Sequence, residues 1–298
     1  MPNVRRLVRR IETVRSLAQV TKAMELISAS RMRRAQDRAL AARPYAQKLQ
    51  QVLEHLAAAA SKGADEEIHP FLRERPVSQV AIVVVASDRG LCGGYNANVV
   101  RAALGYEASL EARVRYVTVG RRAREAILGA GGQLMADFPG LPVNVTLGDA
   151  APIARLLESA YLAGEIDAAA IAYTRFVSTM AQVPAILPIL PFGRDRLAGG
   201  KPGPAIPQFI YEPEARLLLE YLLPHAVEIA VLSCLLEAAA SEHSARMVAM
   251  RNATENANEM GRELVRLFNR LRQERITNEI LDIAGATEAV TTLARQAG

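Results

Sequence analysis

From Pro224 to the C-terminus the chain runs roughly seventy residues with no second proline and with only Gly261 and Gly285 inside it, which predicts one very long helix. Ala253, Ala257, Met260, Leu264, Leu267 and Leu271 recur at alternating spacings of four and three, the apolar seam of a coiled coil. At about 1.5 Å per residue such a helix exceeds roughly 100 Å, more than a small domain can cover. It therefore needs a partner helix and projects beyond its own domain. Past Leu271 the apolar positions become Ile276, Ile280 and Ile283, displaced by about 140° around the helix from the seam. Either the coil stutters there, or pairing ends and the tip meets a different surface, with Arg272, Gln273, Thr277 and Glu279 as its polar contacts.

Helix formers also dominate from Val4 to about Ala60, with Pro44 expected to kink or briefly break the run. Val4, Leu7, Ile11, Val14 and Ala18 share one face, opposite Arg5, Arg6, Arg9 and Arg10. Leu17, Val20, Met24 and Ile27 then form a second apolar stripe on another side. Two stripes require two partners. One is the C-terminal helix, and the other lies either within this chain or in a different one.

Between the arms the period changes. Ser61–Pro76 is polar and proline-bearing and reads as a linker. Val80–Ala86 is a β-branched run suited to a strand buried on both faces. It leads through Ser87-Asp88-Arg89-Gly90-Leu91-Cys92-Gly93-Gly94 into a helix over Ala97–Leu110. A strand at Arg113–Val119, a helix at Arg121–Ala130, a short strand near Gln133–Asp137 and a helix from Gly148 to Gly164, with Asp149 as its cap, follow. Asp167–Val177 and Ala181–Pro191 read as adjacent strands joined by a polar turn. Such alternation predicts a mostly parallel α/β sheet with an antiparallel edge. Gly193–Pro207 is a second linker, and Glu212-Pro213-Glu214 opens a short helix ending at Pro224. The expected division is a helical arm over 1–60, an α/β domain over 77–192 and a helical arm over 208–298. Because both arms meet the same domain, they can pair antiparallel.

Charge sharpens the picture at one end. The chain of 298 residues carries a net +5, yet residues 1–48 hold twelve Arg or Lys against Glu12, Glu25 and Asp37. That basic arm is either a solvated helix face or a surface for an acidic partner, a membrane or nucleic acid. Cys92 and Cys234 stand far apart in no metal-ligand spacing, and His55, His69, His225 and His243 are scattered, which assigns them surface or capping roles. The longest purely apolar run is Val80–Ala86, well short of a membrane span, and the chain is expected to be soluble. The Arg-rich start continues without break to about residue 60, so it is expected to be mature structure rather than a presequence.

No active site can be singled out. Gly90, Gly93 and Gly94 after a strand invite a phosphate-cradle reading, but their spacing is neither G-x-G-x-x-G nor a P-loop. Asp88 and Arg89 fit better as turn-fixing residues, and Cys92, without a histidine nearby in sequence, as a small apolar filler. Catalytic, cofactor and metal residues are expected to be absent.

Three stretches carry a resemblance. Arg10-Ile11-Glu12-Thr13-Val14, Val20-Thr21-Lys22-Ala23-Met24-Glu25-Leu26 and Ser30-Arg31-Met32-Arg33-Arg34-Ala35-Gln36 form the first. Ser87–Gly94 is the second, and the third comprises Glu242–Ala257 with Arg272–Ile280. With the order of the segments they resemble the γ subunit of F-type ATP synthases over essentially the whole chain.

The resemblance implies a long antiparallel coiled coil of the terminal helices with an inserted Rossmann-like α/β domain. It implies a rotor shaft inside a hexamer of α and β subunits, with the α/β domain at the foot against the ε subunit and the c-ring, one copy per complex. It implies no cofactor, no nucleic acid, and membrane association only through the complex, at the cytoplasmic face of a bacterial plasma membrane. Matched position by position, it marks Met24, Arg246, Arg272, Gln273 and Thr277 as coupling or contact residues, Arg31, Arg33 and Arg34 as partners of acidic loops, and Asp88 and Arg89 as part of the loop on the foot. Tyr95 replaces the apolar residue usual after the paired glycines, a change read as surface-compatible. Residues 291–298 run past the usual family end, and a dithiol insertion is lacking. On composition alone, a basic coiled-coil protein binding nucleic acid and a nucleotide-dependent enzyme are the competing readings.

Overall fold

The computed structural model describes residues 2–60, 69–73, 75–192, 212 and 214–296. Its elements are helix α1 (Pro2–Ala60), a 3-10 turn (Pro70–Leu72), β1 (Gln79–Val85), α2 (Tyr95–Ala108), β2 (Arg113–Val119), α3 (Arg121–Gly129), β3 (Leu134–Phe138), α4 (Leu147–Leu162), β4 (Ala168–Phe176), β5 (Gln182–Leu190) and α5 (Ala215–Gln296). The expected linker Ser61–Pro76 falls largely outside the described residues, and Gly193–Pro207 wholly outside.

The chain divides into two compact units, one of residues 27–249 and one formed by residues 1–26 with 250–298. In the larger unit the strands are ordered β3-β2-β1-β4-β5, with β5 alone antiparallel to its neighbour. Strand alternation sorts β1 onto two cores. Val80, Ile82 and Val84 pack with Val99 and Ala103 of α2 and Ala123 and Ile127 of α3. Ala81, Val83 and Val85 pack with Ile153 and Leu157 of α4, Leu53 and Leu56 of α1, and Leu223, Val227 and Leu235 of α5. Both faces of β1 are thus sealed, which is why its sequence shows no polar alternation. Each Val, Ile or Leu among them contributes roughly 1.5–3 kcal/mol on burial.

Several expectations are corrected. Pro44 sits inside a continuous α1, so the break expected there is absent. It is exposed, and the anchoring of Ala35, Leu49, Leu53 and Leu56 in the core on either side offsets the lost backbone bond. Pro224 likewise lies inside α5, so the short helix expected before it is the first part of one 82-residue helix. Asp149 is not the N-cap of α4. Thr146 is, and the Asp149 carboxylate accepts from the Thr146 amide and hydroxyl at 2.8 Å, a reciprocal capping box. When an occasional charge is tolerated, α5 is long and apolar enough to cross a membrane, but half of its apolar window is buried in the protein, as in a core helix.

The smaller unit pairs the start of α1 with the end of α5. The Thr254 hydroxyl donates to Thr21 Oγ1 at 2.7 Å, Ala257 packs with Ala18 and Val14, and a Cβ placed on Gly261 would stand 3.8 Å from Val14 Cγ1. Numbers fall on α1 as they rise on α5, so the pairing is antiparallel. From Met250 onward the buried and half-buried positions of α5 among the described residues are Met250, Ala253, Thr254, Ala257, Gly261, Leu264, Val265, Phe268 and Leu271. Apart from Ala253 and Val265 they keep the spacing of four and three, but Met260 and Leu267, expected in the seam, are 45% and 44% exposed. Gly261 and Phe268 take the places next to them.

Candidate functional site

The residues singled out from sequence fall into three groups. The first surrounds the Ser87–Gly94 loop. Asp88 Oδ1 accepts from the Arg121 amide at 2.9 Å, at the start of α3, and the Arg121 guanidinium returns a bond to the Asp88 carbonyl at 3.0 Å. Two glycines make room for this. A Cβ on Gly120, at φ +91°, would lie 2.3 Å from the Ala86 carbonyl oxygen, and one on Gly140 would lie 2.3 Å from the Asp88 carboxyl group. The Ser87 hydroxyl donates to the Arg89 carbonyl at 2.6 Å, the Ser87 amide donates to Asn96 Oδ1 at 3.0 Å, and Asn96 Nδ2 lies 3.2 Å from the buried Cys92 sulfur. The turn-fixing role expected of Asp88 is therefore present, but it reaches α3 rather than acting only locally.

Arg246 joins the loop from α5. Its side chain is 11% exposed and pairs with Glu242, one helical turn earlier, at 2.7 Å. Its other terminal nitrogen donates to the Arg89 carbonyl at 3.3 Å and lies 3.5 Å from that of Gly90. Burial pushes the Glu242 carboxyl up while Arg246 pulls it back. Neighbouring His243 is buried with Nδ1 unpaired among the described groups, a correction to its expected surface role. Burial, aided by Arg246 and Arg31, depresses it to about 4. Tyr95 is also corrected: it is 4% exposed, with its hydroxyl donating to the Ala238 carbonyl at 3.3 Å, so it ties α2 to α5. Burial raises its phenol well above the usual range.

The second group lies on α1. Arg33 and Arg34 are exposed, Arg34 bonding Ser30 at 3.1 Å, while Arg31 is half-buried near Glu242 and His243. Met24 is half-buried, whereas its stripe companions Leu17, Val20 and Ile27 are 53%, 56% and 53% exposed. The third group, Arg272, Gln273 and Thr277, is exposed near the end of α5 together with Ile276, Ile280 and Ile283.

Sequence reasoning missed one cluster. Tyr45 on α1 hydrogen-bonds His225 Nε2 at 2.8 Å, His225 Nδ1 lies 3.4 Å from Glu228, and Glu228 pairs with Arg155 of α4 at 3.6 Å. Glu158 faces this set with Oε1 buried and unpartnered, and its carboxyl is raised to about 7, by burial first and then by Glu228. The i,i+3 spacings of Arg155 with Glu158 and of His225 with Glu228 were legible, but not that α4 and α5 face each other. A groove of about 540 Å³ between α2 and α3 is lined by Val100, Leu104, Arg101, Arg122 and Glu125. Among the described residues no group of three or more metal-ligating side chains converges.

Comparison with known proteins adds a family. A family model described as ATP synthase matches residues 3–290. The chain is 44% identical over 290 residues to the ATP synthase gamma chain of Dehalococcoides mccartyi strain CBDB1, which covers 97% of this chain and 100% of that one. It is 42% identical over 294 residues, with the same coverage, to the ATP synthase gamma chain of Anaeromyxobacter sp. strain Fw109-5. Among solved structures, a chain in the OSCP/F1/c-ring of Euglena gracilis mitochondrial ATP synthase matches with a TM-score of 0.68, covering 96% of this chain and 94% of that one at 19% identity. A chain of the rotor of the same enzyme matches with a TM-score of 0.64 at 18% identity, and at such identities the likeness speaks for the fold.

Proposed function

Because the chain belongs to the ATP synthase gamma-chain family, we propose that it is the non-catalytic central-stalk rotor subunit of an F-type ATP synthase. In this role α1 and α5 form the shaft within a hexamer of α and β subunits. The α/β domain over 77–192 is the foot, against the ε subunit and the c-ring, one copy serving each complex. Ion flow turns the ring and shaft together. The shaft, being asymmetric, makes different contacts with each catalytic subunit and so biases which conformation each one populates. Nucleotide chemistry belongs to those neighbours. The protein is peripheral to the membrane, held there through the complex, on the cytoplasmic face of a bacterial plasma membrane.

The observation that carries this reading is the match to gamma chains over 97% of this chain, with residues 3–290 matched by the family model. The apolar stripe of Leu17, Val20 and Ile27, 53%, 56% and 53% exposed, agrees with it, as do Ile276 and Ile280, 44% and 60% exposed. In the proposed assembly they turn against an apolar collar supplied by other chains. The coupling set is Met24, Arg31, Arg33 and Arg34 on α1, Asp88 and Arg89 on the loop, and Arg246, Arg272, Gln273 and Thr277 on α5.

Co-expression with α and β subunits tests the reading. One copy per hexamer is expected by co-purification and native mass spectrometry. Failure to assemble, together with salt-dependent DNA binding by the chain alone, would overturn it in favour of a basic nucleic-acid-binding coiled coil.

A further inference from the structure

We infer that Arg246 is a positioning residue rather than a contact residue: its guanidinium holds the Ser87–Gly94 loop so that Arg89 and Leu91, not Arg246 itself, face the partner subunit. The inference rests on the rotor reading above and assigns the partner's chemistry as an anionic group beside an apolar recess.

The donors of Arg246 are turned inward. Glu242 takes one terminal nitrogen and the Arg89 and Gly90 carbonyls take the other, in a side chain only 11% exposed. The Arg89 carbonyl also accepts from Ser87 Oγ at 2.6 Å and from the Cys92 thiol at 3.9 Å. With its carbonyl held from both sides, the Arg89 side chain remains exposed and makes no hydrogen bond or ion pair among the described residues. Two positions on, Leu91 stands at φ +63° and is 61% exposed. A leucine in the left-handed region is unfavourable, and an exposed one returns no packing energy to this chain. Strain of this kind persists where the surroundings over-determine it, and the clamp is what does so here. An arginine suits the task because its planar fork bonds a carboxylate and a carbonyl at once, whereas a lysine offers a single compact charge. Its charge also pulls down the Glu242 carboxyl, which burial and Asp88 push up.

The test uses the complex assembled with its catalytic subunits, in membrane vesicles that synthesise ATP. Arg89→Ala, Arg246→Ala and the double variant are compared for coupled synthesis, and amide hydrogen exchange is followed at Ser87 and Arg121, whose amides are protected by hydrogen bonds to Asn96 and to Asp88 of the loop. Loss of the clamp is expected to raise this loop exchange by roughly tenfold while the amides of α2 keep their protection. Arg89→Ala and Arg246→Ala should each lower coupled synthesis, and the double variant should be no worse than Arg89→Ala alone. Arg246→Lys should give intermediate loop exchange. Glu242→Gln, which spares both loop carbonyl contacts, should leave loop exchange within about twofold of the parent.

Multiplying losses in the double variant, or lost synthesis in Arg246→Ala with unchanged loop exchange, would overturn the inference and make Arg246 a direct contact. Should Arg89→Ala cost nothing while loop exchange responds to Arg246→Ala, the clamp stands as a structural device and the presenting role is overturned. Failure of the parent chain to assemble would instead strike the rotor reading. If Arg246→Ala does not assemble, Arg246→Lys decides, with parent-like loop exchange counting against the clamp.

Discussion

The α/β unit and the paired helix ends treat hydrophobic residues in opposite ways. In the unit of residues 27–249, the strand from Val80 to Val85 is sealed on both faces, and Leu157, Ile171 and Leu235 are wholly buried. In the unit of residues 1–26 and 250–298 the buried apolar seam is thin and polar in part, built on Val14, Ala18 and Ala257 with a Thr21–Thr254 hydrogen bond beside it. There Leu17, Val20, Leu267 and Ile280 lie open. Among the described residues, the chain supplies partners for nearly all of its apolar groups in the first region and for only part of them in the second.

The sharpest way to break this comparison is to make one truncation in each region. Leu157→Ala removes a fully buried side chain from the α/β core and is expected to cost about 2–5 kcal/mol in denaturant unfolding of the full chain. Leu267→Ala removes an exposed one and should change the isolated chain by less than about 0.5 kcal/mol. In the proposed complex the order shifts, and Leu267→Ala should weaken assembly with α and β subunits. An equal cost of the two truncations in the isolated chain would show that the ends of the helices are packed more fully than their exposure indicates.

Protons sharpen the contrast within the larger unit, because two of its groups titrate with opposite sign. Native Glu158 holds its proton up to about 7 against an ordinary 4.5. Its contribution to stability is complete below 4.5 and is lost as pH rises through 7. His243, depressed to about 4 from an ordinary 6.5, contributes stability above 6.5 that is lost as pH falls towards 4. The two slopes oppose each other over the pH range they share. Glu158→Gln should therefore make unfolding on acidification steeper than in the parent, and His243→Gln should make it shallower, as read from denaturant midpoints across pH. Parallel profiles in all three proteins would count against both assignments.

The smallest expected effect is a gain. Gly261 has helical backbone, and an added Cβ would meet Val14 at an ordinary 3.8 Å. Gly261→Ala should therefore stabilise the paired ends by about 0.5–1 kcal/mol, visible as a higher unfolding midpoint. A loss would mean that the seam is tighter at this point than the Val14 contact implies.

Much of the fold was legible because it is local. The β-branched run of β1, the strand–turn–strand of β4 and β5, and the apolar face of Leu7, Ile11, Val14 and Ala18 all follow from short-range periodicity. The loop from Ser87 to Gly94 was legible as a special turn, and Asp88 as one of its fixing residues. Arg246 was marked, but nothing in the sequence shows that its donors are spent inward. Tyr95 and His243 were misassigned for the same reason: each is polar-tipped, and only the packing of α5 against the loop and α2 buries it. The joint of Tyr45, His225, Glu228 and Arg155 brings together three helices, with Tyr45 180 positions from His225 in sequence.

The seam of α5 separates the two sources of information most clearly. By itself the sequence determined that a long helix with a four-three repeat stands at the C-terminus, since Ala257, Leu264 and Leu271 recur at that spacing whatever surrounds them. It also determined a repeat to match on α1. It could not decide between Met260 with Leu267 and Gly261 with Phe268, because both pairs complete the repeat and hydrophobicity favours the first. Neighbouring positions differ by about 100° around a helix. Which of them turns inward is decided only by where the partner helix lies, and that is a property of the tertiary structure.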